Sequence, residues 1–160
     1  MPSEALGQWF TLEEFTRSSA AAAMGHPNVP PPECVVNLRH LVQSVLDPLR
    51  AELGPIRVTS GYRAPDVNRA IGGSSTSQHV RGEAADIVLV HDHDARQVAE
   101  VLFLLDLEVD QVIWYAPEVG GHVHVSHARH GRNRRQFLHC YRNQDGEKVY
   151  RTYRASSSIG

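Results

Sequence analysis

Two short segments of the chain combine residue types that bind metal ions or carry protons. In the first, His79 precedes Asp86, which lies near the start of an apolar run over residues 84–90. A carboxylate in a buried strand is costly unless it is paired or bound to a metal ion. In the second, His122 and His124 alternate with valines. A strand would therefore place both imidazoles on one face.

Together the two segments offer two imidazoles and one carboxylate: His79, Asp86 and a histidine from residues 122–124. A catalytic zinc ion typically has three protein ligands and keeps its fourth position for water. It lowers the pKa of that water and polarises a carbonyl. Simpler interpretations stay open for each segment alone. Asp86 caps a turn with His79 at the surface, or the His-x-His segment is a partly exposed polar strand face.

A third candidate is the arginine of the sequence Ser-Gly-Tyr-Arg at residues 60–63, directly after a predicted strand. An arginine held at such a turn can bind a carboxylate through two parallel hydrogen bonds. The alternative for Arg63 is an ordinary arginine in solvent.

The elements that must position these residues follow from apolar spacing and turn residues. Apolar side chains at steps of three and four predict a helix over residues 33–53, which Pro48 kinks or interrupts. Further helices are predicted at 11–19, at 65–71 and after Asp94, and strands at 56–59, 84–90, 111–115, 122–126, 136–141 and 147–153. Because helices come first and strands dominate later, the pattern favours an α+β fold with a largely antiparallel sheet.

Length and composition limit the class of protein. The 160 residues predict one domain over residues 1–155, followed by a flexible tail at 156–160. With 16 basic and 18 acidic residues, the chain has no charge excess that favours nucleic acid as a partner. No apolar run reaches the roughly 18 residues of a membrane span. Ten histidines are present, and they are concentrated in the later part of the chain.

The N-terminus and the cysteines bear on the compartment. The first ten residues contain neither a basic start nor an apolar stretch, so no secretory signal is visible and we expect cytoplasmic synthesis. Cys34 and Cys140 lack a metal-binding spacing. In a reducing compartment we expect two buried thiols.

The ordered set of motifs resembles the zinc D-Ala-D-Ala carboxypeptidases and their phage endolysin relatives. The family pattern Ser-x-His-x-x-Gly-x-Ala-x-Asp is matched at every fixed position by Ser77, His79, Gly82, Ala84 and Asp86. Ser-Gly-Tyr-Arg precedes it and His-x-His follows it, and the stretches 110–114 and 133–135 are also similar. The resemblance runs from about residue 8 to about residue 141. It implies the fold shared by these peptidases and the Hedgehog signalling domain.

The resemblance also implies a function and a set of roles. One zinc ion would be held by His79, Asp86 and His124, and peptide bonds of bacterial peptidoglycan would be hydrolysed. Arg63 would bind the substrate carboxylate or the polarised carbonyl. The remaining implied roles belong to Ser77, which would support the substrate or the metal site, and to His122, which would assist the transition state. The expected partners are peptidoglycan stem peptides, and the expected state is a monomer.

The chain departs from the family pattern at one position. Many relatives carry an acid three residues before the last zinc histidine as general base, and this chain has Gly121 there. Glu118 on the flanking loop, or His122, could carry the proton instead. The departure keeps open an inactive zinc-containing module that binds peptidoglycan or serves in a virion. Without a signal peptide, an endolysin released by a phage-type route is favoured among the active forms.

Overall fold

The computed structural model describes residues 3–91 and 94–153. Its helices are α1 (Leu12–Thr16), α2 (Ser19–Ala23), α3 (Pro32–Leu41), α4 (Asp47–Leu53), α5 (Pro65–Ala70) and α6 (Ala95–Leu104). Its strands are β1 (Ile56–Ser60), β2 (Ala84–Leu89), β3 (Gln111–Tyr115), β4 (Val123–Ser126), β5 (Gln136–Arg142) and β6 (Lys148–Thr152). The expected boundary at residue 155 and the tail at 156–160 lie outside the described residues.

The sheet carries the predicted fold class. Within the described ranges, six strands form one sheet in the order β1-β2-β4-β3-β5-β6. β3 and β5 pair in parallel, and all other neighbours pair antiparallel. The prediction of an α+β fold with a largely antiparallel sheet is confirmed. None of the helices in these ranges has the length and apolar character needed to cross a bilayer.

One face of the sheet packs into the core, and the opposite face carries the candidate metal ligands. Side chains alternate between faces along a strand, and register partners share a face. One row across the sheet consists of buried apolar residues, namely Ala85, Val125, Val112 and Phe137. This row belongs to the same core as Val98 and Leu102 of α6. The adjacent row, on the opposite face, consists of Ser60, Asp86, His124 and Ile113. Packing of one row therefore orients the candidate ligands of the next.

The long predicted helix is interrupted earlier than expected. A π-helical turn, Val42–Leu46, separates α3 from α4, and Pro48 lies in the first turn of α4. Proline has no N–H to donate to the carbonyl of Ser44. The helix widens before Pro48, and the N–H of Asp47 donates to the carbonyl of Val42, five residues back. The apolar face stays continuous through this turn and is buried at Leu38, Leu41, Val42, Val45, Leu46 and Leu49.

The first predicted helix is divided into two. α1 ends at Thr16, and a second helix, which the sequence interpretation did not separate, begins at Ser19. Ser18 accepts a hydrogen bond from the N–H of Ala21 at 3.1 Å, so it caps a new helix rather than ending the old one.

The two cysteines are free thiols, of which Cys140 is buried and Cys34 is half-buried.

We predict that Gly82 is required by a close backbone approach. It lies at the start of the connection to β2 with φ of +72°, and a Cβ there would lie 2.5 Å from the carbonyl oxygen of Cys34. Gly82→Ala should lower the free energy of unfolding by about 3 kcal/mol, through left-handed strain and the clash together. Gly72, with φ of +73° and open space around it, is the matched control. Gly72→Ala should cost only about 1 kcal/mol. Urea denaturation measures both, and equal losses would contradict the account.

Candidate metal centre

Three side chains from separate elements converge on the face of the sheet that lies opposite the core row. Asp86 of β2 and His124 of β4 are register partners, and Nδ1 of His124 lies 3.1 Å from Oδ1 of Asp86. His79, in a 3-10 turn over Gln78–Arg81, places Nε2 3.4 Å from the same oxygen. One ligand atom from each residue lies within 4.8 Å of the others. The structure thus brings together the three residues expected to bind metal, and the group could hold an ion.

The ring of His79 is oriented by a hydrogen bond at Nδ1, the ring nitrogen that does not face Asp86. Nδ1 lies 2.8 Å from the carbonyl oxygen of Gly61. Because a carbonyl only accepts, Nδ1 donates this hydrogen bond, and Nε2 is the ring nitrogen directed towards Asp86. Ser77 accepts a hydrogen bond from the backbone N–H of His79 at 3.3 Å and so caps the turn. Ser77 therefore supports the position of a candidate ligand.

The carboxylate of Asp86 is largely covered by protein, yet it is the charged form that the surroundings favour. Burial on its own raises the pKa of Asp86, because desolvation disfavours the anion. Hydrogen bonds and electrostatic attraction between Asp86 and the two imidazoles of His124 and His79 outweigh burial and hold the pKa of Asp86 well below its usual range. The group is therefore an anion at neutral pH, as a metal ligand must be.

The donor set fits zinc in its chemistry. Two imidazole nitrogens and one carboxylate oxygen are the donor types of three-ligand catalytic zinc sites. The hydrogen bond from His79 to a backbone carbonyl is the outer contact that commonly fixes a metal-binding histidine. The ligands sit behind a shell of protein, since His79 is buried and His124 is mostly covered. Such surroundings keep the ligand geometry firm.

Arg63 lies in the loop after β1 and is fixed from several sides. Its backbone N–H donates to the carbonyl of His79 at 3.1 Å. Its guanidinium donates to Asn68 Oδ1 at 3.1 Å and to Ser60 Oγ at 3.4 Å. Burial lowers the pKa of Arg63, and the charge of Asp86 opposes this. An arginine remains a cation under such a shift. The guanidinium is thus a positioned positive charge beside the candidate metal ligands.

Asn28 supports this loop, and the sequence interpretation missed it. Its side chain is buried and donates to the carbonyls of Thr16 and Tyr62 at 2.9 and 3.1 Å. It also accepts from the N–H of Ala64 at 2.9 Å. Two of these bonds hold Tyr62 and Ala64, the residues directly before and after Arg63 in the chain. The proline-rich stretch around Asn28 predicts only a loop, so no local signal would have found it.

The candidate ligands open onto a cleft of about 720 Å³. Its lining includes Arg63 and Ser77 together with the three candidate ligands, and also Asp110, Tyr115, Arg134, Lys148 and Tyr150. On the rim, Arg134 donates to both oxygens of Asp110 at 2.9 and 2.8 Å. This pairing lowers the pKa of Asp110. The carboxylate of Asp110 is therefore already compensated within the protein.

The two residues expected to carry a proton lie elsewhere. β4 begins at Val123, so His122 is one residue outside the strand predicted to contain it. The ring of His122 stacks on Tyr115 with centroids 4.3 Å apart, and burial lowers its pKa. Glu118 is exposed, with Oε1 3.5 Å from the backbone nitrogen of Arg142. Neither His122 nor Glu118 is among the described residues that line the cleft.

Comparison with known protein families gives a match. The sequence model of a protein family described as Peptidase M15 matches residues 8–126, which is more than half of the chain. The matched range contains all three candidate metal ligands, as well as Arg63 and Ser77. No curated protein matches the chain.

We predict that zinc binding depends on His124 and not on the histidine content as such. His124→Ala should weaken zinc binding by more than about 100-fold, since changes around a metal ligand alone cost roughly 10–100-fold. His130 is an exposed histidine on the loop after β4, so His130→Ala is the matched control and should keep full metal content. Elemental analysis after zinc loading and dialysis measures both variants. Equal zinc in all three proteins would contradict the assignment.

Proposed function

Because the chain belongs to the peptidase M15 family, we propose that it is a zinc peptidase that hydrolyses peptide bonds of bacterial peptidoglycan. Membership of the family implies a zinc metallopeptidase that acts on this polymer. The observation that carries the proposal is the convergence of His79, Asp86 and His124 in one cleft with Arg63. A positively charged side chain beside a metal site can stabilise the negative charge that develops on the carbonyl oxygen during peptide hydrolysis.

The proposed cofactor is one zinc ion per chain, held by His79, Asp86 and His124. Such an ion supplies a Lewis acid for the scissile carbonyl and a water nucleophile at neutral pH. The chain contributes the orientation of the ligands. The Gly61 carbonyl holds the His79 ring, and the register of β2 with β4 holds Asp86 against His124.

Arg63 and Ser77 are proposed to act on the substrate side. The guanidinium of Arg63 would bind a substrate carboxylate or the negative charge that develops on the carbonyl oxygen. Its hydrogen bonds to Asn68 and Ser60 leave donors free, because a guanidinium carries five N–H groups. Ser77 would support this through the turn that positions His79.

Proton transfer to the leaving amine is proposed for His122, with Glu118 as the second candidate. The position of the usual acid is Gly121. Burial lowers the pKa of His122, so its imidazole is neutral at neutral pH and can accept a proton. Glu118 lies on the 3-10 turn over Pro117–Val119, in the segment between β3 and His122.

The bond cleaved is proposed to lie in the stem peptides. Both a D-Ala-D-Ala carboxypeptidase and an endolysin-type endopeptidase agree with an arginine that binds either a terminal carboxylate or an oxyanion. The protein is proposed to act as a monomer on the cell wall, after cytoplasmic synthesis and a phage-type release.

A catalytically inactive peptidoglycan-binding or virion module of the same fold is the second candidate. It is favoured by the state of the acids in the cleft. Among the described lining residues, the carboxylates are those of Asp86 and Asp110, and both already have cationic or imidazole partners. No described lining residue therefore offers a free carboxylate as general base.

We predict chelator-sensitive cleavage that depends on Arg63. The protein should cleave purified muropeptides, with products identified by mass, and a chelator should abolish cleavage. Arg63→Met should keep its zinc but lower kcat/KM by at least about 100-fold, the usual cost of removing one oxyanion donor. Arg69→Met is the matched control, because Arg69 is exposed on α5 and pairs with Asp66.

Two outcomes would contradict these statements. If zinc-loaded protein cleaves no peptide bond of any muropeptide, the peptidase proposal fails and the binding module stands. If Arg63→Met and Arg69→Met turn over at the wild-type rate, Arg63 has no part in the mechanism.

The proton carrier can be separated from its alternative by a pair of amide substitutions. His122→Gln should lower kcat by about 100-fold or more, because proton transfer by a positioned side chain typically contributes that much. It should also remove the acidic limb of the pH–rate profile. Glu118→Gln should leave kcat and the profile unchanged. The opposite result would transfer the role to Glu118.

A further inference from the structure

Strand β6 contributes to one wall of the cleft, and its residues lie beyond the range that matches the family. Lys148 and Tyr150 of β6 both line the cleft that contains the candidate metal ligands. The family relationship therefore assigns these side chains no role. Their chemistry has to be judged from their own contacts.

Strand register places this wall on the face of the sheet that carries Asp86 and His124. Tyr115 of β3 is two residues beyond Ile113, the register partner of His124, and so shares its face. Across the sheet, Tyr115 pairs with Cys140, and Cys140 pairs with Tyr150. Lys148 lies two residues before Tyr150 and therefore points to the same side.

Tyr115 makes a contact with each of the other two side chains at this wall. The rings of Tyr115 and Tyr150 meet edge to face with centroids 6.4 Å apart. Nζ of Lys148 lies 5.5 Å from the centroid of the Tyr115 ring. A cation over a tyrosine face is attracted to the ring and is held in place by it. The ammonium is thus positioned at the cleft, although its side chain is exposed.

The charges along the cleft are unequally compensated. Arg134 is paired with Asp110, and Arg81 is paired with Glu83. Within residues 3–91 and 94–153, no carboxylate lies within ion-pair distance of Lys148. A fixed ammonium that faces a cleft without an internal partner can bind an anion from a ligand.

The tyrosines add hydrogen-bonding capacity to this charge. Burial and the interaction with Tyr150 raise the pKa of Tyr115, so the phenol of Tyr115 keeps its proton. A protonated phenol can donate to an acceptor oxygen. An ammonium with phenols nearby binds a carboxylate ligand more strongly than it binds a neutral amide ligand, because the hydrogen bonds to a carboxylate are charge-assisted.

We propose that Lys148, with Tyr115 and Tyr150, forms a subsite that binds a carboxylate of the substrate peptide other than the group bound at Arg63. This inference rests on the proposed function, since the ligand is the peptide that the enzyme cleaves. The subsite makes the enzyme prefer stem peptides whose acidic groups are free over those in which they are amidated. Lys148 is then a specificity residue at one wall, while Arg63 lies beside the metal ligands.

The test is a thermodynamic cycle that combines substitution of Lys148 with amidation of each carboxylate of one peptide. The peptide contains the L-Ala-D-Glu and D-Ala-D-Ala units of peptidoglycan joined through diaminopimelate, and it is made fully acidic and with each carboxylate amidated in turn. The proteins are wild type, Lys148→Met, Lys148→Arg and Arg151→Met. Arg151 is exposed on the same strand and faces the other side, which makes it the matched control.

On the fully acidic peptide, Lys148→Met should raise KM about fivefold with kcat and zinc content unchanged, the upper range for an exposed ion pair. Lys148→Arg should restore KM, and Arg151→Met should not alter it. One amidation should raise the wild-type KM by the same factor and leave Lys148→Met unaffected. If every amidation has the same effect in wild type and Lys148→Met, the subsite is refuted.

Failure of the subsite and failure of the proposed function are distinguishable. Hydrolysis by wild type without any coupling to Lys148 refutes the subsite alone. If wild type cleaves none of the peptides, the proposed function fails, and the same cycle is measured as dissociation constants by calorimetry. Coupling in binding then supports the carboxylate subsite, and its absence refutes it.

Discussion

The largely covered carboxylate of Asp86 is the constraint on which the site depends. An anion removed from water is unstable unless cationic or hydrogen-bonding groups replace its hydration. Here the replacement is an imidazole on each side, from His79 and His124. Those imidazoles must themselves be held, by a backbone carbonyl in one case and by strand register in the other. The loop after β1, the tight turn before β2 and the β2–β4 pairing all serve one anion.

The same strands build the core and the site because the pleat gives them two faces. The valines that flank His124 are buried on the side of α6, and the imidazole points to the cleft. A slip of one residue in the pairing would exchange the two sets. Core packing and ligand geometry are therefore a single energetic problem. This coupling explains how a small domain can hold a charged group that is largely shielded from water.

Much of the fold and most of the metal group were predictable from the sequence, for local reasons. Alternation and steps of three and four identified the strands and the main helices. Residue type with spacing identified His79, Asp86 and a histidine from residues 122–124, and the family resemblance selected His124. Long-range contacts were not predictable. The buried Asn28 that supports the Arg63 loop is far from it in the chain, and Lys148 reaches the cleft only through the order of the sheet. Pro48 predicted an interruption of the helix, but not that the interruption would be a π-helical turn before it.

The central claim is that one zinc ion is held by a carboxylate between two imidazoles. An anomalous difference map, recorded at the zinc edge from crystals of the zinc-loaded protein, tests this most directly. The account predicts one peak per chain within about 2.0–2.2 Å of a nitrogen of His79, a nitrogen of His124 and an oxygen of Asp86. A peak at other residues, or no peak between these three side chains, would contradict it.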